Sequence, residues 1–245
     1  MVGMGVLCLC NITQGALYNG NGNTSFGGVI GTGSLTLSDN GSIVTGTINK
    51  GSGDFTDILV IFIDSKAGGF STTTDFTDSS GILTRGVSGI DGTGNRSVAD
   101  FAAGFSADYA IALRPRSVAE SQQLFQLANN GSHTALGSVN LDPLSTQTSS
   151  TYTFSFNVAD IGLTAGSGAS FKFESTYIAG SGIRSLESFE SLTGEQGWLS
   201  VSFDSFNTYT LAPVPETTTV SLAIFGIFIL VSGIYNHVKS RLRQI

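Results

Sequence analysis

Apolar and polar positions alternate in short runs along most of this chain. Ser34-Leu35-Thr36-Leu37, Tyr152-Thr153-Phe154-Ser155-Phe156 and Ser170-Phe171-Lys172-Phe173 each put every second side chain on one face. A period of two is the signature of a half-buried strand, so these segments predict β-structure with one dry face and one wet. Ile58 to Ile63 breaks the pattern, being apolar without interruption up to Asp64. It reads as a central strand covered on both sides, with Leu59, Ile61 and Ile63 facing one way and Ile58, Val60 and Phe62 the other. Tyr109 to Leu113 and Leu199 to Phe206 are further strands, and turns are signalled at Asp39-Asn40-Gly41, Asp91-Gly92, Asn129-Asn130-Gly131 and Gly166-Ser167-Gly168. Helix is scarce: Thr74 to Arg85 and Arg116 to Leu127 can each hold a turn or two, and neither carries a full amphipathic stripe. About ten strands at this spacing, without strand–helix alternation, predict an all-β fold, a single two-sheet, jelly-roll-like β-sandwich over residues 17–211.

The pattern changes near the end of the sequence. Ala212-Pro213-Val214-Pro215 is a stiff linker, Val220 to Tyr235 is an apolar run, and Lys239, Arg241 and Arg243 follow it. No charged residue lies between Thr217 and Val238, so one transmembrane helix is expected at 220–235, between a motif at 212–219 and a basic tail at 236–245. The three cations hold the tail on the cytoplasmic side, which makes everything before the span exported. Charge follows the same division: residues 1–216 carry 18 acids and 8 bases, whereas 217–245 carry three bases and no acid. An acidic exported part without a Lys/Arg cluster argues against nucleic acid as a partner.

Pro215-Glu216, then an apolar span, then the basic end Lys239, Arg241 and Arg243, resembles the PEP-CTERM sorting signal of Gram-negative bacteria. The resemblance covers about the last 30 residues, and Thr217 stands where the family usually has a second proline. It implies membrane anchoring, processing by an exosortase, and a final place at the cell surface or outside, in cells that export polysaccharide. The alternative reading of the same residues is an ordinary C-terminal anchor.

Residues 1–16 read as the end of a signal peptide: Val2 to Leu9 is apolar and Thr13, Gly15 and Ala16 are small, while no Lys or Arg precedes them, as if a longer leader were cut short. Cys8 and Cys10 fall inside this stretch, so the mature sandwich is expected to hold together without disulfides. Roughly 195 residues suffice for such a core.

Composition then limits the chemistry. Without mature cysteine, and with His133 the one histidine outside the tail, zinc sites and Cys–His nucleophiles are excluded. His133 lies in Asn130-Gly131-Ser132-His133-Thr134 and reads as a surface or turn histidine. Asp54 with Asp57, and Glu187 with Glu190, read as solvated loop charges rather than a glycosidase pair, so no catalytic residue is assigned. Calcium is the one cofactor to consider, through Asn19, Asn21 and Asn23 in one Gly-rich loop and Asp91 and Asn95 in another, although neither has EF-hand spacing. The ordinary role of such residues is to tolerate positive φ in turns.

The stretch Tyr152 to Phe173, a strand closing in Val158-Ala159-Asp160-Ile161-Gly162-Leu163 before a Gly-rich turn, is similar to part of the family 9 carbohydrate-binding modules and the related DOMON sandwiches. That resemblance implies a sugar ligand or haem. Trp198 as the only tryptophan leaves little stacking surface for sugars, and one histidine with no methionine beyond Met4 leaves no usual axial pair for haem. Three classes thus compete: a non-catalytic surface or matrix protein associated with exopolysaccharide, which composition favours; a carbohydrate-binding module with a specific glycan; and an extracellular glycoside hydrolase.

Overall fold

The computed structural model describes residues 15–116, 121–137, 139–144 and 146–213. The chain divides into a unit of residues 1–212 and a second of 213–245, and the expected span at 220–235 lies outside the described residues. Among the described residues, no helix is long and apolar enough to cross a membrane. The leader assigned to residues 1–16 also falls outside them, apart from its last two positions.

In chain order the strands are β1 (Ala16–Asn19), β2 (Ser34–Asp39), β3 (Ile43–Asn49), β4 (Ile58–Asp64), β5 (Val98–Asp100), β6 (Tyr109–Leu113) and β7 (Gln122–Gln126). They continue with β8 (Thr134–Ala135), β9 (Asn140–Asp142), β10 (Thr151–Asn157), β11 (Ser170–Ile178), β12 (Leu192–Gly194), β13 (Ser200–Phe203) and β14 (Asn207–Thr210). One helix, α1 (Ile82–Ser88), lies between β4 and β5. The fold is mostly β, with two large antiparallel sheets: β1-β2-β3-β10-β9 and β14-β11-β4-β6-β7-β8. A third sheet of three short strands, β12-β13-β5, was not foreseen; its β13–β5 pair runs parallel.

β4 shows why the six-stranded sheet is the centre of the molecule. Leu59, Ile61 and Ile63 join the core shared with the five-stranded sheet, where Leu35, Leu37, Val44, Ile48, Tyr152, Phe154 and Phe156 point inward. Ile58, Val60 and Phe62 join a second core with Phe76, Leu83, Val87, Phe101, Phe105 and Phe203. The uninterrupted apolar run therefore has the two buried faces its sequence requires, while the alternating β2 buries one side only. The second core is what the two-sheet expectation lacked: a layer made of α1, the small sheet and the loops near Phe76 and Phe101. Gly46 marks the tightest cross-strand fit, because a Cβ there would sit 2.3 Å from the ring of Phe154, its register partner.

Two helical expectations change. Residues 122–126 form β7, since Leu124 supplies the first core and Phe125 the second, and a helix turn could not serve both sides of a sheet. The expected turn near Thr74 to Arg85 begins later, at Ile82, where the Gly81 N–H donates to Thr84 Oγ1, and ends at Gly89 with φ 69°. The expected strand at Leu199 to Phe206 is broken after Phe203, so that Asn207 can open β14. Asn40-Gly41 closes the β2–β3 hairpin, and Asp91-Gly92 lies in the loop that the Ile90–Arg96 bridge closes.

Phe62 is fully buried and meets the Phe101 ring edge-on at 4.8 Å. Phe62→Ala should cost roughly 3–5 kcal/mol, whereas Thr36→Ala, on the outer face of β2, should cost less than about 1 kcal/mol. Denaturant melts of the two variants check this, and equal losses would remove β4 from the centre.

Candidate functional site

The site is organised by a carboxylate buried beside the edge of β11. Glu187 is inaccessible to solvent, and its oxygens accept four backbone N–H groups from one Gly-rich loop. Oε1 accepts from Phe26 at 2.7 Å and Gly28 at 2.9 Å; Oε2 accepts from Ile30 at 3.0 Å and Gly31 at 3.3 Å. Positive φ at Gly27 (93°) and Gly28 (79°) turns these amides toward a single point, a conformation that residues with a Cβ rarely adopt. The same loop is tied down by Asn21, whose N–H donates to Ser188 O and whose Nδ2 donates to Leu186 O. Asn21 and Asn23 are thereby set at the rim of a groove.

The opposite rim comes from Ser191 and Leu192 before and within β12, from Ser205 between β13 and β14, and from Asn207 at the start of β14. Phe189 and Glu190 form the floor of this groove of about 570 Å³. Glu190 has a structural reason to be there. β14 pairs with β11 only from Ser170 to Phe173, and further along Tyr177 is bonded by the backbone of Ser185 and Glu187. Between them the Ser175 N–H would be left without a partner, and Glu190 Oε2 accepts it at 2.8 Å, together with the hydroxyls of Ser175 and Ser188. Asn207 Nδ2 donates to Oε1 at 2.9 Å.

Burial pushes the Glu190 carboxyl up to about 7, against the pull of its hydrogen bonds to Ser175, Ser188 and Asn207. Glu174, one residue from Ser175 and fully buried, is pushed up to about 9 by burial, with the charges of Glu190 and Asp64 adding to the effect. Its Oε1 accepts the Ala102 N–H, and its Oε2 has no hydrogen-bond partner among the described residues. The groove thus offers amides, hydroxyls and a half-neutral carboxyl already engaged on both oxygens. Such a surface recognises a polar ligand better than it activates a nucleophile.

The sequence reading of Glu187 and Glu190 as solvated charges is corrected by this arrangement, while Asp54 is exposed and Asp57 half-buried. His133 is corrected as well: it is buried, packed edge-on to Phe76 at 5.1 Å. Its Nδ1 accepts the Ala128 N–H at 3.2 Å, so the neutral ring carries its proton on Nε2 and donates it to Ser88 Oγ at 3.0 Å. A serine nucleophile needs the reverse, with Nε2 accepting and a carboxylate on Nδ1, whereas Asp78 instead accepts the His133 backbone N–H.

The two candidate calcium loops lie apart. Asn19 is exposed at the end of β1, while the side-chain oxygens of Asn21 and Asn23 accept the N–H groups of Asn23 and Ser25. Asp91 Oδ1 accepts from the N–H groups of Thr93, Gly94 and Asn95, and Oδ2 accepts from Thr93 Oγ1 and Asn95 Nδ2. The Thr93 bonds foremost hold this carboxyl well below the usual range. Donors ringing these oxygens do not fit a hard cation, which needs the same lone pairs. Pro215, Glu216, Lys239, Arg241 and Arg243 lie outside the described residues.

Sequence reasoning missed Glu190, Ser175, Ser205 and Asn207 as a group, because three remote segments bring them together. Only the spacing of Glu187 and Glu190 around buried Phe189 hinted that the acids turn inward. No family model, curated protein or solved structure matches the chain.

Replacing Glu187 by Ala leaves four converging N–H groups without their acceptor and should cost roughly 3 kcal/mol or more. Hydrogen exchange should report it first at Gly28, Ile30 and Gly31; unchanged protection there would remove Glu187 from its organising role.

The raised carboxyls also set a pH dependence. Glu174 and Glu190 bind their protons more tightly folded than unfolded. Their contribution is complete below the ordinary value of 4.5 and is lost as pH rises through about 7 for Glu190 and about 9 for Glu174. His133 acts oppositely: burial lowers its pKa, so its contribution is present above 6.5 and lost as pH falls. Melting temperature should therefore decline from about pH 7 to pH 9, and Glu174→Gln should flatten that decline. An equally steep decline in the variant would clear Glu174 of the effect.

Proposed function

We propose that this protein is an exported, non-catalytic surface or extracellular-matrix protein, sorted by an exosortase and associated with exopolysaccharide. One observation carries the sorting: Pro215-Glu216, a stretch free of charge from Thr217 to Val238, and Lys239, Arg241 and Arg243 follow one another in the order of a PEP-CTERM signal. On this reading residues 220–235 span the inner membrane until the tail is processed, and the jelly-roll-like sandwich is what reaches the surface. Its acidic charge disfavours nucleic acid.

The polar groove supports a second reading, a carbohydrate-binding module with a defined glycan. Its volume suits a short oligosaccharide, and its lining of Asn21, Asn23, Ser205 and Asn207 provides neutral hydrogen-bonding groups without Lys or Arg. The lining carries no exposed aromatic platform, so affinity per site would be weak and would depend on many copies at the surface.

In a host with an exosortase, Glu216→Ala should leave the tail attached, giving a form heavier by the tail. Mass spectrometry of the mature C-terminus decides this: an intact end at Ile245 in the parent protein would sink the sorting reading.

A further inference from the structure

The polar groove keeps unused hydrogen-bonding capacity on both rims, and its distribution bears on the kind of ligand that fits. Asn23 Oδ1 accepts the Ser25 N–H, which leaves Nδ2 as a free donor on one rim. Across the groove, Asn207 Nδ2 donates to Phe189 O and Glu190 Oε1, which leaves its Oδ1 as a free acceptor. The Ser205 hydroxyl, exposed on the same rim, makes no hydrogen bond among the described residues. A donor, an acceptor and a hydroxyl able to act as either match sugar hydroxyls, which themselves donate and accept. Leu192 adds an apolar neighbour for ring C–H groups.

Charge separates the sugars that fit from those that do not. Asp204 is fixed to the second rim twice: its N–H donates to Ser191 O at 3.0 Å, and its Oδ2 accepts the Ser191 hydroxyl at 2.7 Å. Glu190 lies in the floor, and among the described residues no Lys or Arg lines the groove. Lys172, opposite Thr208 on β14, is engaged by Asp64 and by the Gly104 carbonyl. A ligand carboxylate would therefore enter against two acids, in an exported part that carries 18 acids and 8 bases.

Resting on the carbohydrate-binding reading of this groove, we infer that its ligand is a neutral glycan built from uncharged hexose units, and that uronic acids are excluded by Glu190 and Asp204. The selection is electrostatic rather than steric, because the carboxylate of a uronic acid is close in size to the hydroxymethyl group it replaces. Salt therefore weakens it, since exposed charges are screened over about 8 Å at physiological ionic strength. In a matrix of mixed polysaccharides the protein would engage neutral chains and pass over acidic ones.

NMR mapping of amide shifts on the purified full-length chain, in a detergent without a sugar headgroup, tests this with two sets of oligomers of equal length. One set is built from glucose, mannose or galactose, the other from galacturonate or mannuronate. Neutral oligomers should shift the amides of Gly22, Asn23 and Asn207, with acidic oligomers about tenfold weaker at low salt and closer to them at high salt. Ser205→Arg, at an exposed position, should raise the affinity for acidic oligomers several-fold, and Asp204→Asn should raise it in part. Acidic oligomers that bind as tightly as neutral ones, or a preference that neither salt nor Ser205→Arg changes, would overturn the inference while leaving the groove a carbohydrate site. Absence of shifts at those amides with every oligomer would instead overturn the carbohydrate-binding reading, and the inference with it.

Discussion

The contact between Glu187 and the amides of residues 26–31 is what the rest of this structure depends on. A carboxylate taken wholly out of water loses several kcal/mol of solvation, and charge-assisted bonds from four N–H groups offset that loss. The exchange fixes two segments that would otherwise have no regular structure. The Gly-rich loop gains a defined shape and delivers Val29 and Ile30 into the first core. The segment 185–190 gains an anchor and completes the exposed edge of β11 where β14 stops. Remove the charge, and the groove loses a rim and β11 regains a bare edge of the kind that invites pairing with other chains.

Glu190 extends the same logic with a side chain in place of a strand. Ser175 is the one position on that edge served neither by β14 nor by the backbone near Tyr177, and a carboxyl oxygen takes over the acceptor role. The solution binds stability to protonation, because the hydrogen bonds from Ser175, Ser188 and Asn207 favour the charged carboxylate while burial favours the neutral acid. A Gln would reproduce the acceptor for Ser175. Its amide could not also accept at Oε1 from Asn207 once its NH2 lies there, so Glu satisfies donors on both sides as no neutral isostere does.

What could be read from the sequence follows from how local the determining physics is. Ile58 to Ile63 announced its two buried faces because each residue reports its own surroundings, and Leu35 and Leu37 did so for one face. β7 was hidden because Leu124 and Phe125 are adjacent and apolar, a pairing that fits a helix turn as well as a strand between two cores; only the presence of the second core decides. That core is itself built from loops, with Phe76, Phe101 and Phe105 in segments rich in Gly, Ser, Thr and Ala that read as solvated. The same composition concealed the polar site. Glu187, Glu190 and His133 sit among Ser, Asn and Gly, where charge is normally solvated, and their partners are up to 161 residues away. A solvated carboxylate and a fully bonded one look identical until the fold supplies the donors.

Arg184 is the extreme case of a buried polar group in this fold. It is fully buried, none of its guanidinium nitrogens has a hydrogen-bond partner among the described residues, and burial draws its pKa down to about 9. The nearest structural reason is Gly89, where α1 ends: a Cβ on that residue would lie 2.9 Å from Nη2, so glycine leaves the room the guanidinium occupies. Gly89 caps the C-terminus of α1, so the cation lies near the negative end of that helix's dipole, which lessens the cost of burial without a counter-ion. Its backbone pairs with Ile178 and Gly197, which ties the end of β11 to the approach to the small sheet. Buried Glu174, Glu187, Glu190 and Arg184 all lie on β11 or in the segment that follows it. Of these, Glu187 and Glu190 hold that edge through directional hydrogen bonds, whereas the two cores on either side of β4 are held by apolar packing. Directional groups admit one register where apolar contacts admit several, so the polar edge specifies the fold and the cores stabilise it.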